Sequence, residues 1–408
     1  MLLASFFRSF LKHGTLTLID TRGQRHLVDS GNPGPSVVMR LHSRRAERRM
    51  LLNARLALGE CYMDGSLTID NGTIYDFLDL VGRSIGAFER HPLNRLLSRA
   101  GQLFRALQQH NPIERAQRNV AHHYDLSDTL YDLFLDRDRQ YSCAYFISPD
   151  DSLEQAQDNK KKHLVAKLDL RPGMRLLDIG CGWGGLGLYL AANHGADVTG
   201  LTLSAQQLAV AQRRAGEAGI EDRCRFALRD YRLDQGPYDR IVSVGMFEHV
   251  GAVHYREFFN KVSTLLSEDG VFVLHAIGRM EPPGATNPWL RKYIFPGGYS
   301  PALSEVLAAI EHSGLWVTDI EILRLHYAQT LRHWRERFAA NRPRIAALYD
   351  ERFCRMWEFY LAACEAAFRY MRQFVFQMQI TRRQDAVPLT RDYIYEAERK
   401  QPRSMAAE

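Results

Sequence analysis

The chain has 408 residues, of which 46% are hydrophobic and 25% are charged, and its formal net charge is +6. This composition is typical of a globular protein with about two or three domains. The six cysteines form no C-x-x-C pair, which argues against a disulfide framework and a zinc finger, and no apolar run reaches the ~20 residues of a membrane-spanning helix. We therefore expect a cytoplasmic protein that is soluble or peripheral to the inner face of the membrane.

The positive charge is concentrated near the N-terminus. Residues 1–120 contain 17 Lys+Arg against 10 Asp+Glu, a net charge of +7. Such an excess suits a nucleic acid, an anionic bilayer or a solvated face without a partner, and composition does not choose between them. The densest basic run is RLHSRRAERR at 40–49, which suits phosphate head groups or is simply solvated.

Two local patterns stand out in the same region. Residues 1–12 place Leu and Phe at helical spacing, which predicts a short amphipathic helix that either touches lipid or packs on its own domain. The string TLTLIDTRGQRHLV predicts a β-hairpin around Gly23.

Further along, residues 174–278 alternate short apolar runs with helical ones. This alternation predicts an α/β fold with a doubly wound, mostly parallel sheet. We expect a smaller, basic α+β domain at 1–110 and a larger domain at 111–408. Residues 279–300 predict an ordered excursion whose aromatic side chains either wall a channel or pack the loop. Helices at 327–339 and 344–370 and a strand at VFQMQI follow.

The string LLDIGCGWGG at 176–185 predicts a strand, a glycine-rich turn and a helix, and Gly180 and Gly182 let a ligand approach the backbone. A dinucleotide site expects an acidic residue about 20 positions later. The next strand instead ends in Thr202-Leu203-Ser204. Asp178 would repel a pyrophosphate, whereas it suits a cationic sulfonium ligand and its amino group.

A third strand end supplies Asp230 and Tyr231, which either meet the edge and face of an adenine or form an ordinary turn. Together, the D-x-G-x-G-x-G string, the polar second strand end and the Asp-aromatic pair resemble Rossmann-like class I S-adenosylmethionine-dependent methyltransferases. We therefore expect S-adenosylmethionine as the cofactor.

Longer strings resemble one family, the cyclopropane-fatty-acyl-phospholipid synthases, relatives of the mycolic acid cyclopropane synthases. The resemblance covers about 119–395 and is weaker in the N-terminal region. The strings that carry it are NVAHHYDLSDTLYDLFLD, QYSCAYF, LLDIGCGWGG, TGLTLS, VSVGMFEHVG, LHAIG, KYIFPGG and FQMQITRRQDAVPLTRDYI.

The resemblance implies two sets of site residues. Those that would line the cofactor are Tyr141, Ser142, Gly180, Gly182, Thr202, Gln207 and Tyr231, beside Asp178 from the glycine motif and Asp230 from the third strand end. Those that would hold a bicarbonate ion are Cys143, Glu248, His275 and Tyr327, with backbone help from Ile277. It further implies a phospholipid bilayer as partner and a homodimer. His122, His123 and His249 have no metal-ligand spacing, and we expect no metal.

The implied reaction adds a methyl group to the cis double bond of a phospholipid acyl chain and then closes a cyclopropane ring by removing a proton. A close alternative is a methyltransferase that leaves a methyl branch or a methylene group. A lipid-binding module that has lost activity would require a damaged cofactor turn, and this turn is intact. We expect no nucleic-acid partner, because no N-P-P-Y-like string follows the fourth strand. Taken singly, each of the four bicarbonate ligands is also an ordinary buried or packed side chain.

Overall fold

The computed structural model describes residues 1–86 and 126–400. They form two compact units, one of residues 1–86, 284–296 and 331–373, and the other of the remaining described residues. The predicted boundary between residues 110 and 111 lies outside the described residues, so the contiguous domains 1–110 and 111–408 stay a prediction. Within the described part of the chain, no helix combines the length and the apolar composition needed to cross a bilayer.

The first unit contains a four-stranded sheet in the order β2-β1-β3-β4. β1 and β2 form the predicted hairpin, with Thr15 opposite Asp29, and β1 also pairs with β3 in parallel. The elements of this unit are α1 (Leu2–Phe10), β1 (Thr15–Ile19), β2 (Arg25–Asp29), β3 (Ser36–Leu41), α2 (Arg44–Met63), β4 (Leu67–Asn71) and α3 (Ile74–Gly82).

The predicted N-terminal amphipathic helix is confirmed as α1, and its apolar face packs on its own unit. Leu3, Phe7 and Phe10 are buried. The ring of Phe7 meets the ring of Phe77 edge to face at 5.9 Å. Of the two interpretations of this stripe, packing is therefore the one that the contacts support.

The middle of the predicted excursion, residues 284–296, packs within the first unit. The carboxylate of buried Glu60 accepts hydrogen bonds from Lys292 Nζ at 2.6 Å and from the Tyr293 hydroxyl at 2.8 Å. Trp289 is fully buried, with its ring 4.6 Å from the ring of Phe359. These contacts explain why residues 284–296 group with N-terminal residues far away in sequence.

The second unit contains a seven-stranded sheet in the order β10-β11-β9-β8-β5-β6-β7. The pairs β5/β6, β5/β8, β6/β7 and β8/β9 are parallel, and β10/β11 is antiparallel. The strands are β5 (Arg175–Ile179), β6 (Asp197–Thr202), β7 (Cys224–Leu228), β8 (Tyr238–Val244), β9 (Leu266–Arg279), β10 (Trp316–Ile322) and β11 (Gln373–Thr381).

Adjacent residues of the central strands enter two separate cores. Ile241 and Phe272 pack in one hydrophobic cluster, while Val242 and Val273 pack in the other. Because successive side chains of a strand point to opposite faces, helices must cover both faces of this sheet. The predicted doubly wound, mostly parallel α/β fold is confirmed.

The helices from residue 126 onward largely follow the predicted pattern. The predicted helix at 344–370 is wrong in one respect, because it is split into two. The carboxylate of Asp350 accepts from the Phe353 N–H at 2.7 Å and so begins a new helix. The helices are α4 (Asp128–Asp132), α5 (Leu153–Leu168), α6 (Gly185–His194), α7 (Ala205–Glu217), α8 (Tyr255–Leu265), α9 (Pro288–Tyr293), α10 (Leu303–Ile310), α11 (His326–Ala340), α12 (Arg342–Leu348), α13 (Glu351–Tyr370) and α14 (Asp392–Lys400).

Candidate active site

A pocket lies where the parallel strands β5, β6, β7 and β8 end. Carboxyl ends of parallel strands meet at one edge of a sheet, which is where open α/β sheets bind ligands. The nine residues predicted for the cofactor all line this pocket: Tyr141, Ser142, Asp178, Gly180, Gly182, Thr202, Gln207, Asp230 and Tyr231. Sequence reasoning missed other lining residues, among them Gln140, Trp183, Met246 and His249.

The glycine turn after β5 forms the floor of the pocket. The backbone N–H groups of Gly180 and Cys181 both donate to the Leu201 carbonyl at 2.9 Å, which ties the turn to β6. Gly180 has φ +85°, and a Cβ there would lie 2.7 Å from Met246 Cβ. Gly182 has φ +55°, and no described protein atom lies within 4 Å of a Cβ built on it. The turn therefore leaves the backbone of Gly182 open to a ligand.

Asp178 presents a buried carboxylate at the same place. Its side chain is 2% exposed, and among the described residues Oδ2 has no hydrogen-bond partner. Burial raises the pKa of Asp178 to about 7, although the positive charge of Lys160 acts to lower it. A buried carboxylate with an unpaired oxygen is costly unless a donor or a cation meets it. The ammonium group of S-adenosylmethionine would supply both, so the residues present fit this cofactor.

At the end of β6, one hydroxyl side chain and one amide side chain are hydrogen-bonded to each other. The Thr202 hydroxyl donates to Gln207 Oε1 at 3.0 Å, and both side chains are buried. The Ser204 side chain caps the following helix by accepting from the Gln207 N–H at 3.2 Å. Because Gln207 Oε1 is occupied, its amide N–H groups remain as donors for ribose hydroxyls.

At the end of β7, the surroundings of the Asp230 carboxylate differ from the expectation. Both carboxylate oxygens of Asp230 accept from the guanidinium group of Arg232, at 2.9 and 2.7 Å. The carboxylate is thus neutralised by its neighbour, and sequence reasoning had overlooked this arginine. Tyr231 packs edge to face on Phe258, which fixes the plane of its ring.

The four predicted bicarbonate ligands do not line the pocket described above. Two of them, Glu248 and His275, occur next to β8 and on β9. Glu248 Oε1 accepts from the Ile277 N–H at 2.6 Å. Ile277 follows His275 by two residues on β9, about 7 Å along the strand. Glu248 Oε2 and His275 Nε2 are both buried and without a partner among the described residues.

Burial shifts the pKa values of both groups so that their neutral forms are favoured. The pKa of Glu248 rises to about 7, and the pKa of His275 falls well below its usual value, because desolvation disfavours each charge. Gln377 Nε2 lies 3.2 Å from His275 Nδ1. An amide N–H there pairs with an acceptor nitrogen, so it places the proton of the neutral imidazole on Nε2. His275 then presents a buried N–H donor.

Thr330 of α11 lies beside Cys143. The Thr330 hydroxyl accepts from the Ala144 N–H at 3.0 Å and also interacts with the Cys143 thiol. Tyr327 is one turn earlier on the same helix, so it lies on the face that carries Thr330. Cys143 is 1% exposed, and burial raises the pKa of its thiol. It is therefore a neutral thiol rather than a thiolate nucleophile.

The segment with Ser142 and Cys143 also approaches the strand with His275. The Gly245 N–H donates to the His275 carbonyl at 2.9 Å. A Cβ built on Gly245 would lie 3.9 Å from Ser142 Cβ. These contacts place Cys143 and the backbone of His275 next to the pocket wall that Ser142 and Gly245 form. Their chemical roles remain predictions.

The comparisons with known proteins agree with this architecture. The family model described as mycolic acid cyclopropane synthetase matches residues 111–378. The cyclopropane-fatty-acyl-phospholipid synthase of Escherichia coli (strain K12) is 41% identical over 322 residues, covering 79% of this chain and 82% of that protein. The tuberculostearic acid methyltransferase UfaA1 of Mycobacterium tuberculosis (strain ATCC 25618 / H37Rv) is 37% identical over 357 residues, covering 82% and 81%.

Among solved structures, the mycolic acid cyclopropane synthase CmaA1 complexed with SAH and CTAB is 35% identical. It aligns with a TM-score of 0.61, covering 66% of this chain and 99% of that chain. The family model spans well over half of the chain, and the Escherichia coli relative matches most of its length. The chain therefore belongs to the cyclopropane-fatty-acyl-phospholipid synthase family of S-adenosylmethionine-dependent methyltransferases.

Proposed function

We propose that this chain transfers the methyl group of S-adenosylmethionine to the cis double bond of an unsaturated phospholipid acyl chain and closes a cyclopropane ring. The observation that carries the proposal is that two buried polar atoms, Glu248 Oε2 and His275 Nε2, have no hydrogen-bond partner among the described residues. A polar ligand is needed to satisfy them. The pocket lined by the predicted cofactor residues supports methyl transfer close to that pair.

An isolated alkene needs no base before it attacks a methyl donor, so the first step requires chiefly alignment at short range. The π electrons form the bond to the methyl carbon, and the carbon–sulfur bond breaks with its electrons going to sulfur. The other alkene carbon becomes a cation. Removal of a proton from the added methyl group then lets the C–H electrons close the ring.

The residues around Glu248 suit the second step. Bicarbonate bound there would supply the base that takes the proton, and its proposed ligands are Cys143, Glu248, His275, Tyr327 and the backbone of Ile277. His275, neutral with its proton on Nε2, would donate a hydrogen bond to the anion. Glu248, whose pKa is about 7, would exchange a proton near neutral pH and so relay it onward.

For the substrate, we propose phospholipid at the inner face of the membrane. The support comes from the exposed arginines at the start of α2, namely Arg44, Arg45 and Arg48. Basic side chains near an anionic bilayer contribute about 1 kcal/mol each. Co-sedimentation with anionic vesicles should therefore decrease as salt rises, and binding should weaken when all three arginines are changed to Gln. Equal binding to neutral vesicles would argue against this role.

The test of the reaction uses isotopically labelled S-adenosylmethionine, bicarbonate and vesicles of monounsaturated phospholipid. High-field cyclopropyl signals in the proton NMR spectrum of the recovered acyl chains are the expected result. Label in a branched or methylene-bearing chain would show transfer without ring closure. Omitting bicarbonate should slow ring formation, and an unchanged rate would remove bicarbonate from the proposal. The proposed homodimer is checked by light scattering during size-exclusion chromatography.

A further inference from the structure

One fully buried lysine stands behind the cofactor pocket without an assigned role. Lys160 of α5 is 0% exposed. Its ammonium group donates to Gln140 Oε1 at 2.7 Å and to Ser142 Oγ at 2.8 Å. Both partners are neutral, and Asp136 and Asp138 act on it only through longer-range charge interactions. Burying an ammonium group against neutral partners is costly, so packing alone is a poor reason for it.

Both of its partners line the pocket. A serine hydroxyl that accepts from an ammonium group has its own proton available to donate elsewhere. The segment is also fixed from behind, because Gln157 Nε2 donates to the carbonyls of Gln140 and Ser142, at 3.2 and 3.0 Å. The Ser142 hydroxyl is therefore held in place as a polarised donor in the pocket wall.

The position of this donor identifies the end of the pocket that it serves. The charge of Lys160 opposes the rise in the pKa of Asp178, which places the ammonium group near that carboxylate. A Cβ built on Gly185, where the helix after the glycine turn begins, would lie 2.5 Å from Gln140 Nε2. The Gln140–Ser142 segment thus borders the β5 end of the pocket, whereas Thr202 follows the next strand.

The cofactor carries its amino acid, with one ammonium and one carboxylate group, at one end. Asp178 suits the ammonium group, which leaves the carboxylate in need of a donor nearby. We infer that Lys160 is a positioning residue that acts through the Ser142 hydroxyl to select the carboxylate of the cofactor's amino-acid end. Hydrogen bonds to charged groups are worth about twice those between neutral groups, which gives such a relay a measurable effect. Burial lowers the pKa of Lys160 to about 8, so the ammonium form still predominates at pH 7.

This inference rests on the proposed cofactor site and is independent of the proposed product. The test measures binding of two ligands to the full chain by isothermal titration calorimetry at pH 7. S-adenosylhomocysteine retains the amino-acid end, whereas 5′-methylthioadenosine lacks it. Lys160→Met should weaken binding of S-adenosylhomocysteine tenfold or more and leave 5′-methylthioadenosine within twofold of the wild-type value. Lys162→Met, a half-buried lysine on the same helix, is the matched control and should change neither.

Ser142→Ala provides a second variant if Lys160→Met folds poorly. It should show the same selective loss, and the double variant should be no worse than the weaker-binding single variant, because both changes remove one relay. An equal loss of affinity for both ligands would mean that Lys160 only holds the pocket wall, and it would overturn the inference. Unchanged affinity for both ligands would overturn it as well. If the wild type bound S-adenosylhomocysteine no more tightly than the Gly182→Val variant does, the proposed cofactor site would be overturned, and so would this inference.

Discussion

Replacing Glu248 with Gln should stabilise the protein while it removes turnover. The pKa of this carboxyl group is raised from 4.5 to about 7 because the group is desolvated. Between these values the folded state keeps a proton that the unfolded chain has released, so stability falls as pH rises through this window. Above pH 7 the full cost is present. At about 1.4 kcal/mol per pKa unit, it amounts to about 3 kcal/mol.

Glu248→Gln removes this cost, since the amide stays neutral and its oxygen can still accept from the Ile277 N–H. At pH 8 the second unit of the variant should therefore melt about 6 °C above that of the wild type, and the difference should shrink toward pH 4.5. Thermal unfolding followed by circular dichroism at several pH values measures this. Glu217→Gln is the control, because its side chain is 66% exposed, and its melting temperature should stay near that of the wild type.

The same variant should lose about a hundredfold or more in turnover, because it cannot relay a proton, while its affinity for S-adenosylhomocysteine stays close to normal. If the Gln variant were less stable than the wild type at pH 8, or if its stability had the same pH profile, the claim that the desolvated Glu248 carboxylate destabilises the fold would be refuted. Normal turnover would remove Glu248 from the catalytic set even if the stability result held.

Three further changes test other parts of the site. Gly182→Val should abolish binding of S-adenosylhomocysteine, whereas Gly219→Val, at another open position with φ +64°, should cost only backbone strain; calorimetry separates the two. Gln377→Leu should slow turnover about tenfold with unchanged cofactor affinity and should alter the nitrogen NMR shifts of His275, since its tautomer is no longer fixed. Cys143 should resist iodoacetamide at pH 8 until the protein is unfolded, because burial keeps its thiol protonated; rapid labelling in the folded state, detected by mass spectrometry, would contradict this.

The sequence predicted the features that depend on local pattern. The period of the apolar runs between 174 and 278 identified the strands and helices, and D-x-G-x-G-x-G identified the turn over which the pocket forms. Strand ends are local as well. Parallel strands place their carboxyl ends at one edge, so the sequence alone predicts Thr202 and Asp230 as pocket residues.

The buried lysines show where local pattern was insufficient. The run NKKKH at 159–163 has the composition of a solvated helix face, yet Lys160 is fully buried and Lys161 nearly so. Nothing in the run indicates which lysine meets Ser142, because that depends on how the helix rotates against the segment at 140–142. Arg232 was overlooked for a related reason, since its pairing with Asp230 depends on the shape of a short turn.

Long-range contacts were decided by the tertiary structure alone. Gln377 meets His275 across 102 residues, and Thr330 meets Ala144 across 186. Glu60 meets Lys292 across 232 residues and joins the excursion to the first unit. By itself, the sequence determined the fold class, the family and the polar strand ends, because each is encoded in neighbouring residues. Tautomer, desolvation and the grouping of distant segments arise only when packing removes water from side chains that the chain keeps far apart.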